Sequence, residues 1–412
     1  VKATLPAAES LYQAPPANAL AINGGEAVAY ALKQIEPEVV AAYPITPQTL
    51  IIEKFAEYCA NDEVRTEFVA VESEHAALSV CVGAAAAGGR AVTATAGPGL
   101  ALMFEMLGVA SGMRLPIVMH LCTRALSSPI NILGDHSDAM AMRETGWVML
   151  SGSSPQEAYD QAIIAHVIGE HRDVMLPVAN LIDGFTVTHA VERVNVLDDL
   201  TVHEIAGDYQ PAHSLLSRGG PVTFGAMDAR DFYFEHKRQQ ADAMERAVHV
   251  AAETLDRFAE LSGRRYRLIE TYRLDDAAIA LVLIGSLEGQ VRAAVDAARE
   301  RGLRVGVLRV RLLRPFPARL VANALRSTPV IGVLDRAIGF GSPGNPLFSD
   351  VAVTMSREPD RPLLKSFVHG LGGRVTTQRA LQQAIDQLAE ALRTGRADDA
   401  PTYLGLREGP PQ

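Results

Sequence analysis

The sequence predicts an α/β fold built from two open parallel-sheet domains. Three observations predict it. Short β-branched and apolar runs alternate with amphipathic stretches, the pattern of a parallel sheet covered by helices on both faces. That alternation dissolves near residue 205 and restarts near residue 266. Between the two lies one long, strongly charged helical stretch. The 412 residues suffice for two or three domains. With 48% hydrophobic and 21% charged residues, disorder over most of the length is excluded.

The elements follow in order. Residues 1–19 are rich in Ala and Pro without periodicity and read as an extended N-terminal arm. Apolar residues recur at helical spacing over 21–35. Residues 38–43 (EVVAAY) form a buried strand stopped by Pro44, and 50–61 an amphipathic helix. Residues 66–71 (TEFVAV) are a strand, and an Ala-rich helix starts at Ser73. The strand 90–96 (RAVTATA) ends in Gly97-Pro98-Gly99, a turn that is either bare or part of a pocket wall, and a helix follows to about Arg114. Residues 116–122 (PIVMHLC) are the next strand. Ser154 caps a helix over 154–170, with Glu157 three residues on. A strand at 176–181 leads to Asp183-Gly184-Phe185. Residues 231–261 form the long helix, stopped by Gly263. Strands at 280–284, 304–310, 330–334 and 364–368 then alternate with helices. The division expected is an arm at 1–19, a first domain at 20–230, a linking helix at 231–264, a second domain at 265–394 and a tail at 395–412.

Charge and cysteine usage narrow the function. Lys and Arg total 38 against 48 Asp and Glu, a net charge of −10. Nucleic-acid binding, which needs clustered cations, is not expected. No apolar run is long enough for a membrane span, and no basic region followed by an apolar core suggests a secretory leader. Three cysteines, Cys59, Cys81 and Cys122, lack the short repeated intervals of a zinc or iron–sulfur site. An odd count also argues against a disulfide framework. We expect reduced thiols, a cytoplasmic location and no metal site in this chain.

Single motifs are weak. Gly339-Phe340-Gly341-Ser342-Pro343-Gly344 fits G-x-G-x-x-G, but Pro343 and Pro346 remove N–H donors and the segment is set apart from its strand. A loop is the better reading. Glu74, opening a helix, could simply complement the helix dipole. Arg124 could be an ordinary ion-pair partner, and Asp135-His136-Ser137-Asp138 a helix N-cap cluster.

The ordered set is specific. Tyr43-Pro44-Ile45-Thr46-Pro47, Glu72-Ser73-Glu74, Thr93-Ala94-Thr95, Thr123-Arg124, Gly134-Asp135-His136-Ser137-Asp138 and Arg143-Glu144-Thr145-Gly146-Trp147 occur in that order. Gly263-Arg264-Arg265-Tyr266, Arg314-Pro315-Phe316-Pro317, Leu334-Asp335-Arg336 and Gly370-Leu371-Gly372-Gly373-Arg374 follow. This resembles the alpha subunit of 2-oxoacid:ferredoxin oxidoreductases, from about residue 20 to 390. Leu334-Asp335-Arg336 and the Gly370–Arg374 segment favour the pyruvate branch, while Ala96-Gly97-Pro98-Gly99 is more similar to the 2-oxoglutarate branch.

The resemblance implies a thiamine diphosphate pyrimidine-side domain followed by a transketolase C-terminal-like domain. It implies that thiamine diphosphate is shared with a beta subunit carrying the diphosphate-side domain, and that coenzyme A is a co-substrate. Mg²⁺ and [4Fe–4S] clusters are implied on partners, namely the beta subunit and the gamma and delta subunits, with ferredoxin as acceptor. By the same resemblance Glu74 is the catalytic and cofactor-binding acid at the aminopyrimidine ring. Thr46 and Arg124 bind the oxoacid carboxylate, for which a planar guanidinium is suited. The expected reaction is oxidative decarboxylation of pyruvate to acetyl-CoA and carbon dioxide, or its reverse. Another 2-oxoacid is the alternative substrate. A non-catalytic transketolase-like scaffold is the alternative of another class, disfavoured because a scaffold needs none of Thr46, Glu74 and Arg124.

Overall fold

A computed structural model describes residues 18–217 and 220–407. Most of the expected arm and the end of the expected tail lie outside the described residues. The first half runs β1 (Ala19–Ile22), α1 (Gly24–Ile35), β2 (Val39–Ala42), α2 (Thr49–Ala60), β3 (Glu67–Ala70), α3 (Glu74–Ala87), β4 (Ala91–Thr95), α4 (Gly97–Leu102) and α5 (Phe104–Gly112). It continues with β5 (Val118–Thr123), α6 (Ser137–Met142), β6 (Val148–Ser151), α7 (Pro155–Glu170), β7 (Val178–Asp183), β8 (Glu192–Asn195), α8 (Asp199–Ala206) and the long α9 (Tyr233–Ser262). The second half adds β9 (Ile269–Tyr272), β10 (Ile279–Leu283), α10 (Glu288–Glu300), β11 (Val305–Val310), β12 (Leu312–Arg314) and α11 (Ala318–Leu325). Then come β13 (Val330–Asp335), α12 (Pro346–Met355), β14 (Leu363–Val368), α13 (Gln378–Thr394) and β15 (Thr402–Tyr403).

Local chemistry sets several of these boundaries. The helix expected from residue 21 starts at Gly24, because Asn23 and Glu26 form a reciprocal capping box there. The residues before it instead pair antiparallel with β8. Ser73 accepts from Ala76 N and starts α3, and Ser154 accepts from Glu157 N and starts α7. Such caps are each worth about 1 kcal/mol. Gly263 ends α9 at φ +72°, in the left-handed region that glycine enters freely. Gly97-Pro98-Gly99 is not a bare turn: it is the first turn of α4, with Pro98 where no N–H is needed.

Among the described residues two main sheets form. The first has the order β12-β6-β7-β5-β4-β2-β3, all parallel except β12, which runs antiparallel to β6. The second has the order β15-β14-β13-β10-β11-β9, parallel except for β9. Helices α1, α2, α7, α8 and α9 cover one face of the first sheet, with Leu32, Phe55, Tyr159, Ile163 and Phe258 in the shared core. A second core runs without a break from Leu78, Leu107 and Trp147 of the first half to Val282, Leu308 and Val333 of the second. Full burial of such a side chain is worth about 1.5–3 kcal/mol. Helices α10 and α13 close the far face of the second sheet.

The first sheet has a switch point. From β2 the chain passes through α2 to β3 on one side, while from β4 it passes to β5 on the other. β2 and β4 pair only at their starts, Val39 with Ala91 and Val40 with Val92. Their C-terminal ends therefore part, and a crevice opens where ligands gather in this class of sheet.

Candidate active site

Four strand-end segments converge on that crevice. They are the loop after β2 with Thr46, the start of α3 with Glu74, the start of α4 with Gly97 and Gly99, and the end of β5 with Arg124. Glu74 is 6% exposed, whereas Glu72 is on the surface. α4 lies directly on the Glu74 carboxylate. A Cβ added to Gly99 would sit 2.5 Å from Glu74 Oε1 and 2.6 Å from Thr95 Oγ1. Among the described residues no donor reaches the Glu74 carboxylate. The Thr93 and Thr95 hydroxyls are buried without a partner among the described residues.

Arg124 is also buried, at 6% exposure. Its Nη1 donates to Thr46 O at 2.9 Å and its Nε to Asn131 O at 3.2 Å. No carboxylate pairs with its guanidinium among the described residues, so the surface ion-pair reading does not apply. Burial draws its pKa below the usual guanidinium value, against the pull of Asp138. A buried cation held only by carbonyls has charge left for an anion.

Two further residues position these groups. Asp138 Oδ2 accepts both Gly97 N and Arg124 N, each at 2.9 Å. Its Oδ1 takes Ala139 N at 2.7 Å. The carboxylate is fully buried, and that burial pushes its pKa up to about 7 despite the three amides. It does not cap α6, as the sequence suggested. In that cluster Asp135 instead takes Ser137 N and Oγ. Gln48, fully buried, donates to Ala94 O at 2.8 Å and Tyr43 O at 3.3 Å, and accepts Ile45 N. It ties the Pro-Ile-Thr-Pro loop to β4. Neither role was legible in the sequence, because the partners are backbone groups from remote segments.

The three residues singled out from sequence thus share one crevice. Gly99 abuts Glu74, a Cβ added to Gly97 would lie 3.1 Å from the Arg124 stem, and Arg124 bonds the Thr46 carbonyl. The set fits the pyrimidine side of thiamine diphosphate. A buried carboxylate with free acceptors faces a groove whose floor, at Gly99, has no side chain. Among the described residues no group of three His, Cys, Asp or Glu side chains could hold a metal ion.

Residues 30–255 match the model described as pyruvate flavodoxin/ferredoxin oxidoreductase, thiamine diphosphate-binding, and residues 277–381 match pyruvate:ferredoxin oxidoreductase core domain II. This chain belongs to the pyruvate:ferredoxin oxidoreductase family. Pyruvate synthase subunit PorA of Thermotoga maritima is 47% identical over 389 residues, covering 94% of this chain and 98% of that protein. PorA of Methanocaldococcus jannaschii is 42% identical with the same coverage. Ketoisovalerate oxidoreductase subunit VorA of Pyrococcus horikoshii is 38% identical, covering 94% and 98%. Two solved structures share the fold. One is a 2-oxoglutarate:ferredoxin oxidoreductase from Magnetococcus marinus, with TM-score 0.71 and 19% identity. It covers 90% of this chain, which spans 65% of that longer one, just under two thirds. The other is a split-gene transketolase, with TM-score 0.53 and 13% identity, covering 90% and 99%. Like these family members, the chain is a subunit of an oxidoreductase. No helix among the described residues is long and apolar enough to cross a membrane.

Proposed function

We propose that the chain is the pyrimidine-side subunit of a pyruvate:ferredoxin oxidoreductase. In the forward direction pyruvate and coenzyme A yield acetyl-CoA and carbon dioxide, and two electrons pass to ferredoxin. Thiamine diphosphate, when bound, supplies the sink for the electron pair left by decarboxylation. Glu74 would hold a proton at the aminopyrimidine ring nitrogen of the bound cofactor and so act as its acid–base partner. Arg124 and the Thr46 hydroxyl orient the oxoacid carboxylate, and the stiff loop around Thr46 lowers the cost of that positioning. A beta subunit supplies the diphosphate side with its Mg²⁺, and gamma and delta subunits carry the [4Fe–4S] clusters. The complex works in the cytoplasm. The division into a first domain at 20–230, a linking helix at 231–264 and a second domain at 265–394 belongs to the same proposal. The similarity to a ketoisovalerate oxidoreductase subunit favours one second reading, a branched oxoacid as substrate. Rates with pyruvate, 2-oxoisovalerate and 2-oxoglutarate on the purified complex decide between them.

The observation that carries the reading is the buried Glu74 carboxylate, to which no donor among the described residues is assigned. Its test is Glu74→Gln in the assembled enzyme. Glutamine keeps the size and can still hydrogen-bond the ring, so the cofactor stays bound. Hydrogen–deuterium exchange at C2 and turnover should both slow by about 10²–10⁴-fold. A helix-dipole role alone predicts a stability loss of about 0.3–1 kcal/mol with turnover intact. Exchange at the wild-type rate would sink the assignment.

A further inference from the structure

The second sheet has a switch point of its own, between β10 and β13. β10 leads through α10 to β11 on one side, and β13 leads through α12 to β14 on the other. Such a crevice is where a ligand would gather. Here a side chain from the first half of the chain reaches into it and lines a small cavity together with Ser286 and Arg336. Asp183, at the end of β7, accepts Ser286 N at 2.9 Å, Ser286 Oγ at 2.6 Å and Arg336 Nη1 at 3.2 Å on one oxygen. Its other oxygen pairs with His136 Nε2 at 2.7 Å. Gly285, at φ +74°, makes room: a Cβ there would lie 2.8 Å from the carboxylate. Burial opposes ionisation, but His136 and Arg336 outweigh it and hold the Asp183 pKa well below the usual carboxylate range.

Arg336 does more than pair with Asp183. Its Nη2 donates to Gly134 O at 2.8 Å, its Nε to Gly370 O at 3.1 Å, and its own carbonyl accepts His136 N at 2.9 Å. The neighbouring Gly370–Arg374 segment grips the same loop. Gly373 N donates to Gly134 O at 2.8 Å, Gly372 N to Asp135 Oδ2 at 3.2 Å, and Asn131 Nδ2 to Gly372 O at 3.1 Å. Apart from the Arg336–Gly370 bond, these contacts converge on residues 131–136. That loop supplies the Asn131 carbonyl that takes Arg124 Nε, and its Leu133 carbonyl takes Ala125 N. Behind it, Gly184 packs against Gly134, Thr123 O and Pro47. The second half of the chain therefore reaches Arg124 through one loop, and Arg336 lies at the centre of the grip.

We propose that Arg336 is a positioning residue: through the 131–136 loop it fixes the direction of the Arg124 guanidinium, and so sets oxoacid affinity. This rests on the reading of Arg124 as the carboxylate ligand. Arg336 touches no reacting atom, so its loss should act on binding more than on chemistry.

The test uses the complex co-expressed with its partner subunits. Three variants are compared: Arg124→Ala, Arg336→Gln and the double variant. Arg124→Ala should raise the pyruvate KM roughly 10- to 150-fold. Arg336→Gln should raise it roughly 10-fold while kcat changes less than about threefold. The double variant should be no worse than Arg124→Ala alone, because both act through one group. Amide exchange should speed up over residues 124–137 in Arg336→Gln and stay unchanged over residues 74–95. An unchanged KM in Arg124→Ala overturns the carboxylate-ligand reading and the proposal with it. A raised KM there, together with an unchanged KM in Arg336→Gln or fully additive effects, overturns the proposal alone. If Arg336→Gln does not assemble, Arg336→Lys carries the same test: it keeps a cation beside Asp183 but cannot reach Asp183, Gly134 O and Gly370 O at once, as the guanidinium does.

Discussion

Asp138 is a costly residue to keep. Its carboxylate is fully buried, its neighbours are three backbone N–H groups, and Asp135 adds a small like-charge penalty. An unfolded Asp ionises near 3.8, while burial raises Asp138 to about 7. Between those values the folded chain binds the extra proton, so this group lowers stability as pH rises from 4 to 8. Asp138→Asn removes the titration. Relative to wild type, the variant should therefore gain stability with rising pH, by up to roughly 4 kcal/mol across that window. The single tryptophan, Trp147, is fully buried with its Nε1 donating to Leu107 O at 3.0 Å, and its fluorescence follows urea unfolding. Parallel pH profiles for the two proteins would refute the idea. The functional gain from retaining the acid is that one oxygen aligns both Gly97 and Arg124. Glu74 and Arg124 could be singled out only through the ordered set of motifs and its resemblance, since by residue type alone a helix-dipole acid and an ion-pair partner are the better readings. The roles of Asp138 and Gln48 were not legible, since they lie in distant amides and carbonyls that no local pattern announces.

At the level of elements, α7 joins the two sheets through its first turn. Glu157 accepts from Arg309 and Arg311, both on or beside β11 and each 1% exposed, with N–O distances of 2.9–3.0 Å. It also takes Ser153 N at 2.9 Å. Burial alone would raise its pKa, but Arg311 and Arg309 outweigh that and hold it at about 2. This stabilisation is complete above the unfolded value of 4.5 and is lost as pH falls from there toward 2. Glu157→Gln leaves Arg309 only Glu288 and Arg311 only Glu270 as carboxylate partners, and should cost roughly 1.5–3 kcal/mol. Urea midpoints at pH 7 measure it; a loss below about 1 kcal/mol, the scale of an exposed pair, would contradict the account. Ser154 and Glu157 were readable as a capping box; Ser154 caps the Glu157 amide, while the Glu157 carboxylate reaches back one residue further, to Ser153 N, and also holds the two arginines. β6 escaped notice for a different reason. Val148–Ser151 is only four residues long and buried on both faces. A strand without alternation cannot be told from a buried helix segment by period.

At the scale of the whole molecule, the first sheet offers one wall of an active site. The chain has no Gly-Asp-Gly diphosphate motif and only three cysteines. Purified alone, it should bind thiamine diphosphate poorly and show no oxoacid-dependent dye reduction, whereas co-purified partners restore both. A brown, active preparation of this chain by itself would overturn that. The short β12 gives the molecule a further property. Leu312–Arg314, from the second half of the chain, covers the outer edge of β6 in the first sheet. A fragment cut at residue 264 would leave β6 bare, a row of unpaired N–H and C=O groups inviting another copy to add a strand. Three residues from beyond the long α9 thus act as a stopper against aggregation. Anyone trimming or exchanging the second half should begin after residue 314, or the truncated protein will be sticky for reasons unrelated to its core.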